Sequence, residues 1–220
     1  MTAGQSNPFA DARLVARYAE GPPRIVPGFE ALQRMTTTLL AERVPAAGRV
    51  LVIGAGGGLE LKSFAQARPG WTFDGIDPSQ EMLKLARQTL GPLATRATLH
   101  HGYAQDAPEG PFDGATCLMT FHFLSIDERR RTIAEVHRRL RPGAPFVVAH
   151  FSIPPVDDRA VWLSRYATWA GIDPEQAAAI DARLNILSPD EDEALLRDAG
   201  FSNVSLFYAG FTFRGWAGYA

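Results

Sequence analysis

A single cysteine, Cys117, stands among 220 residues and lies inside an apolar run, so no intrachain disulfide can form and a buried thiol is expected. Such usage suits a reducing cytoplasm. Neither charge sign is in excess: 22 basic and 24 acidic residues leave a formal net charge of −2, which gives no global attraction to nucleic acid or acidic membranes. Nucleic acid is therefore not the expected partner. No apolar run approaches the ~20 residues that span a bilayer, and the start, MTAGQSNPFADARL, lacks a charged head followed by an apolar core. Neither membrane insertion nor secretion is expected. His100-His101 has no third ligand at metal spacing, so no metal site is expected either. What remains, 46% hydrophobic residues in a chain of this length, suffices for one sizeable core and a single domain over 1–220.

The chain is organised around Val50 to Gly58, VLVIGAGGG, followed by Thr72 to Ser79, TFDGIDPS. Four apolar residues running into a glycine-dense turn are how a buried strand hands its chain to a loop that approaches a ligand closely. The next strand ends in Asp77, whose carboxylate can accept both hydroxyls of a ribose. A nucleoside-containing cofactor follows from that pair of features.

The strands expected are Val50 to Ile53, Thr72 to Ile76, Thr98 to Gly102, Ala115 to Thr120, Pro145 to Phe151, Val204 to Tyr208 and Thr212 to Tyr219. Helical patterns separate the first five, which implies a parallel sheet covered on both faces; the short Ala209-Gly210-Phe211 connection makes the last two an antiparallel hairpin. The fold class is α/β. Ahead of the sheet, residues 1–48 form a helical appendage: a polar lead to Asn7, a pattern with Leu14, Val15 and Tyr18, a break at Gly21-Pro22-Pro23, and a helix from about Gly28 to Arg43. Residues 152–187 interrupt the alternation with two helices, roughly Asp157 to Ala170 and Pro174 to Leu184, a candidate lid. Either Ser125 or Asp127 caps the helix before the fifth strand, and Ser188-Pro189-Asp190-Glu191 reads as a capping box.

With GAGGG after strand one, Asp77 after strand two, FDGATCLMTFHFL at strand four and a closing hairpin, the chain from about Arg49 to Ala220 resembles a class I S-adenosylmethionine-dependent methyltransferase. The resemblance implies a Rossmann-like, seven-stranded, mostly parallel sheet with helices on both faces. It implies S-adenosyl-L-methionine as cofactor and S-adenosyl-L-homocysteine as product, held by Gly54, Ala55, Gly56 and Gly58 of the G-x-G-x-G pattern, by Asp77 and Pro78, and by Met82 near the adenine. HGYAQDAP resembles the adenine-binding segment, placing Ala104, Gln105 and Asp106 near the base, while Thr120 and Phe121 would face the sulfonium end. Two positions depart from the pattern: Val52 stands where the family commonly has an acid, and Tyr103 where it often has an aspartate. Both RIVPGFEALQRMTTTLLAERV and the ending AGFSNVSLFYAGFTFRGW are similar to the carboxy-S-adenosylmethionine synthase subgroup associated with tRNA wobble-uridine modification, which suggests a homodimer.

The activity this implies is methyl transfer to a small-molecule acceptor; the alternatives are conversion of the cofactor itself, a nicotinamide oxidoreductase, or a non-catalytic S-adenosylmethionine-binding protein. A sulfonium is already activated, so alignment and exclusion of water are the chief demands on the protein. No general base is assigned. His122, at the end of strand four, is the candidate, with a satisfied wall histidine as the plainer reading. Trp162, Tyr166 and Trp169 lie on one helical face, as core packing first and a substrate cage second. Tyr18, Arg24 and Arg183 are expected to close over the acceptor. Arg129, Arg130, Arg131, Arg138, Arg139 and Arg141 read as a solvated helix face.

Overall fold

A computed structural model of the protein describes residue 15, residues 18–154 and residues 159–220. The polar lead to Asn7, Leu14, and the expected helix start at Asp157 lie outside the described residues.

Strands β1 (Arg49–Ile53), β2 (Thr72–Asp77), β3 (Ala97–His101), β4 (Gly114–Leu118), β5 (Pro145–Phe151), β6 (Ser202–Gly210) and β7 (Phe213–Tyr219) form one sheet in the order β3-β2-β1-β4-β5-β7-β6. The first five are parallel, and β7 runs antiparallel to both β5 and β6. In β1, β4 and β5 side chains alternate between two buried faces, which is why these strands read as nearly continuous apolar runs. Val50 and Val52 join a core with Leu61, Phe64, Val147 and Tyr166, whereas Leu51 and Ile53 join another with Cys117, Ile133, Val136 and Trp216.

Helix α1 (Gly21–Ile25) and helix α2 (Phe29–Ala41) precede the sheet, and α3 (Leu59–Ala67) and α4 (Gln80–Leu90) are the first crossovers. The Gly21-Pro22-Pro23 segment is thus the first turn of a helix rather than a break, since prolines in the first helical positions remove no hydrogen bond. Helix α5 (Ile126–Arg139) starts at the Ser125 cap, reciprocated by Glu128, and α8 (Pro189–Asp198) starts at Ser188 with Glu191. Between β5 and α8 lie α6 (Arg159–Ala170) and α7 (Pro174–Arg183). A bridge between Ser152 and Leu187, with the Ile153 amide donating to the Leu187 carbonyl at 3.1 Å, closes the base of this excursion.

The arginine face of α5 is not uniformly solvated. Arg129 and Arg139 are buried: Arg129 Nη1 donates to Asp192 at 2.6 Å, and Arg139 Nη2 donates to the carbonyls of Gln105 at 3.0 Å and Ala107 at 3.2 Å. Strand β4 ends two residues earlier than its apolar run suggests because Met119 takes a positive φ of 55°, turning the chain out of the sheet. Among the described residues, no helix is long and apolar enough to cross a membrane.

Candidate cofactor cleft

Parallel register brings the ends of β1, β2 and β3 together: Ile53 lies opposite Ile76, and Asp77 opposite His101. The glycine loop is folded onto the end of β2, where the amides of Gly54 and Ala55 donate to the Ile76 carbonyl at 2.9 and 3.0 Å. Gly54, Gly56 and Gly58 have φ of 70°, 49° and 79°, values that L side chains rarely adopt. At Gly54 a Cβ would fall 2.1 Å from Thr120 Oγ1, so the two residues fit only because one lacks a side chain.

Asp77 is locked against this loop. Its Oδ2 accepts the Gly56 amide at 2.9 Å and its Oδ1 accepts the Ser79 amide at 2.8 Å. Burial lifts its carboxyl above the usual range, against the pull of those two amides and of His101. A carboxylate has about four acceptor sites, so two bonds to backbone leave capacity for a pair of hydroxyls. Met82 sits over the same loop, its Cε 3.4 Å from where a Gly56 Cβ would be, and Ser79 holds its amide at 3.1 Å. Pro78 is exposed, and its carbonyl oxygen lies 3.0 Å from His101 Nε2.

The Ala104–Asp106 turn follows β3 directly, with the Gly102 amide donating to the Asp77 carbonyl at 3.1 Å. Ala104 is buried and Gln105 exposed, while the Asp106 carboxylate accepts the Tyr103 amide at 2.9 Å and so closes the turn. Arg139 fixes the far side of the turn through its carbonyls, a role that a local sequence pattern could not reveal.

Tyr18 enters the cleft: its Oη would be 3.6 Å, and its ring 2.9 Å, from Cβ atoms placed on Gly56 and Gly57. Burial, with the Glu60 and Asp77 charges adding to it, raises its phenol above the usual value. Glu60 itself is a buried carboxylate that the sequence reading passed over. It lies on the first turn of α3 and accepts the Thr116 hydroxyl at 3.0 Å. The available signal was its spacing, four residues before the buried Phe64 on the inward face of the helix.

Other expected site residues lie elsewhere. Phe121 is 1% exposed and packs on Phe146 and His150 in the core beneath the strand ends, not in the cleft. His122 is buried, and its Nδ1 accepts the Phe151 amide at 3.3 Å. Burial, His150 and Arg129 hold it well below the ordinary histidine value, so it is a neutral wall residue rather than an accessible base. Tyr166 packs between Phe151 and Phe213, its phenol pushed up to about 12 by burial. Trp162 is covered by the guanidinium groups of Arg165 and Arg214, and Trp169 is exposed beside Phe211. These rings form no common cage. Arg24 is exposed, and Arg183 is exposed with its Nε donating to the Ala179 carbonyl of its own helix.

The methyltransferase domain family model matches residues 50–143. A carboxy-S-adenosyl-L-methionine synthase of Chromohalobacter salexigens is 26% identical over 210 residues, covering 90% of this chain and 78% of that protein. A demethylmenaquinone methyltransferase of Symbiobacterium thermophilum is 29% identical over 165 residues, covering 66% of this chain and 64% of its own. Among solved structures, an O-methyltransferase family protein of Burkholderia thailandensis superposes with a TM-score of 0.74 at 16% identity, over 96% of this chain and 61% of that one. The glycine loop and the acid ending β2 both lie within residues 50–143, the stretch over which the chain matches the methyltransferase domain family.

Proposed function

We propose that the protein transfers the methyl group of S-adenosylmethionine to a small organic acceptor. The observation that carries this reading is Asp77, held by the Gly56 and Ser79 amides at the loop that would receive the cofactor. Asp77 takes the ribose hydroxyls; Gly54, Ala55, Gly56 and Gly58 let backbone approach the ligand; Met82 and the Ala104–Asp106 turn flank the adenine, with Pro78 at the rim. The cofactor, when bound, supplies an already activated methyl group.

Everything else asked of the chain is alignment and dryness. Thr120 meets Gly54 at the mouth of β4, and Tyr18 lies over Gly56 and Gly57, so the turn that begins at Tyr18 covers the cleft from one side. Helices α6 and α7 form the lid within the same single domain, α6 touching α1. The buried free thiol of Cys117 suits a cytoplasmic protein, and a homodimer remains part of the reading.

A second reading is favoured by one observation, the similarity of nearly the whole chain to a carboxy-S-adenosylmethionine synthase. There the cofactor itself would be converted. Against it, Arg24 and Arg183, the arginines expected to hold an added carboxylate, are exposed. Incubation with S-adenosylmethionine labelled in its methyl group separates the readings. Methyl transfer predicts label in a small acceptor together with S-adenosylhomocysteine; recovery of a carboxylated cofactor after purification supports the second reading, and no turnover across a broad acceptor set supports a binding protein.

A further inference from the structure

We propose that Glu60 is the carboxylate that receives the ammonium group of the cofactor's amino-acid end. This rests on the cofactor reading above and adds to it a residue, a direction for the ligand and a proton count. The direction comes from strand order. Asp77 ends β2, and the Ala104–Asp106 turn follows β3 on one side of it. With the adenosine spread over β2 and β3, the amino-acid end runs the other way, across β1 towards β4. Glu60 is tied to β4 through the Thr116 hydroxyl, and Thr116 lies opposite Val52 of β1.

The charges around Glu60 call for a cation. The titratable groups whose charges interact with it are Asp77 from β2, Tyr18 from the turn before α1 and, on the opposite face of β4, Cys117, each neutral or negative. Among the described residues, no lysine, arginine or histidine forms an ion pair with it. A buried carboxylate with one hydroxyl partner and a second carboxylate nearby is unfavourable when ionised, and burial, opposed by the Thr116 bond and reinforced by Asp77, pushes Glu60 up to about 8. An ammonium group brings three donors and a positive charge, whereas a sulfonium brings no donor. When the ammonium enters, the Glu60 proton leaves to solvent and the carboxylate stays paired.

The test is calorimetric titration of the wild type and Glu60→Gln with S-adenosylhomocysteine from pH 5.5 to 7, in buffers of differing ionisation enthalpy. Glutamine keeps an acceptor for Thr116. In this range the ligand's amine stays protonated, so its titration is common to both proteins. The wild type is expected to release about one proton per site and to gain about tenfold in affinity per pH unit. Glu60→Gln is expected to release none and to bind at least about tenfold more weakly at pH 7. With 5′-methylthioadenosine, which lacks the amino-acid end, both proteins should bind alike. Equal proton release and affinity for S-adenosylhomocysteine in the two proteins would overturn the assignment alone. A wild type that binds neither ligand would overturn the cofactor reading and the assignment with it.

Discussion

At the scale of single residues, the cleft joins two carboxylates in different circumstances. Among the described residues, Asp77 has two backbone amides to hold its charge, and Glu60 has one hydroxyl. Their consequence for the ligand-free protein has a definite sign. The Glu60 carboxyl is raised from 4.5 to about 8, so the unfolded chain loses its proton first as pH rises. Its contribution to stability is fully present below pH 4.5 and is lost progressively up to about pH 8. Glu60→Gln, which cannot ionise, escapes this loss. The variant should melt at the same temperature as the wild type near pH 4.5 and above it at pH 8, measured by calorimetry without ligand. A variant less stable than the wild type at pH 8 would show that the carboxylate is already compensated within the protein.

At the scale of elements, the network joining α5, α8 and the return from α7 should cost more to break than its surface counterparts. Arg129, fully buried, donates to Asp192 of α8 and to the Asn185 carbonyl, while the Asn185 amide donates to the His122 carbonyl at 2.8 Å. His150 Nε2 is also 3.0 Å from Asp192 Oδ1, although not aligned as a hydrogen bond. Removing one member strands a buried charge, so Arg129→Met should reduce unfolding free energy by about 3–5 kcal/mol. Arg159→Ala breaks the more exposed Arg159–Asp181 pair between α6 and α7 and should change it by less than about 1 kcal/mol. Urea denaturation of both variants checks the contrast; equal effects would remove the special role of the buried pair.

At the scale of the whole molecule, what was legible in the sequence was what depends on local pattern. Strands buried on both faces are apolar throughout, as Val50 to Ile53 are, and glycines at positive φ mark the loop. The Ser125 and Ser188 caps are written within four residues. What escaped depends on distant partners. Arg129 meets Asp192 across 63 positions and Glu60 meets Thr116 across 56, so neither could be told from a solvated helix residue by counting charges along one face. Phe121 was misplaced for a related reason: the left-handed Met119 rotates the chain after β4, sending the aromatic ring into the core and leaving Thr120 against Gly54. The central claim is that the loop and the acid ending β2 hold the adenosyl half of S-adenosylmethionine. Calorimetric titration of wild type and a folded Asp77→Ala variant with S-adenosylhomocysteine tests it most directly. Loss of a charge-assisted bond of about 1.5–3 kcal/mol predicts at least about tenfold weaker binding in the variant, and unchanged affinity would contradict the account.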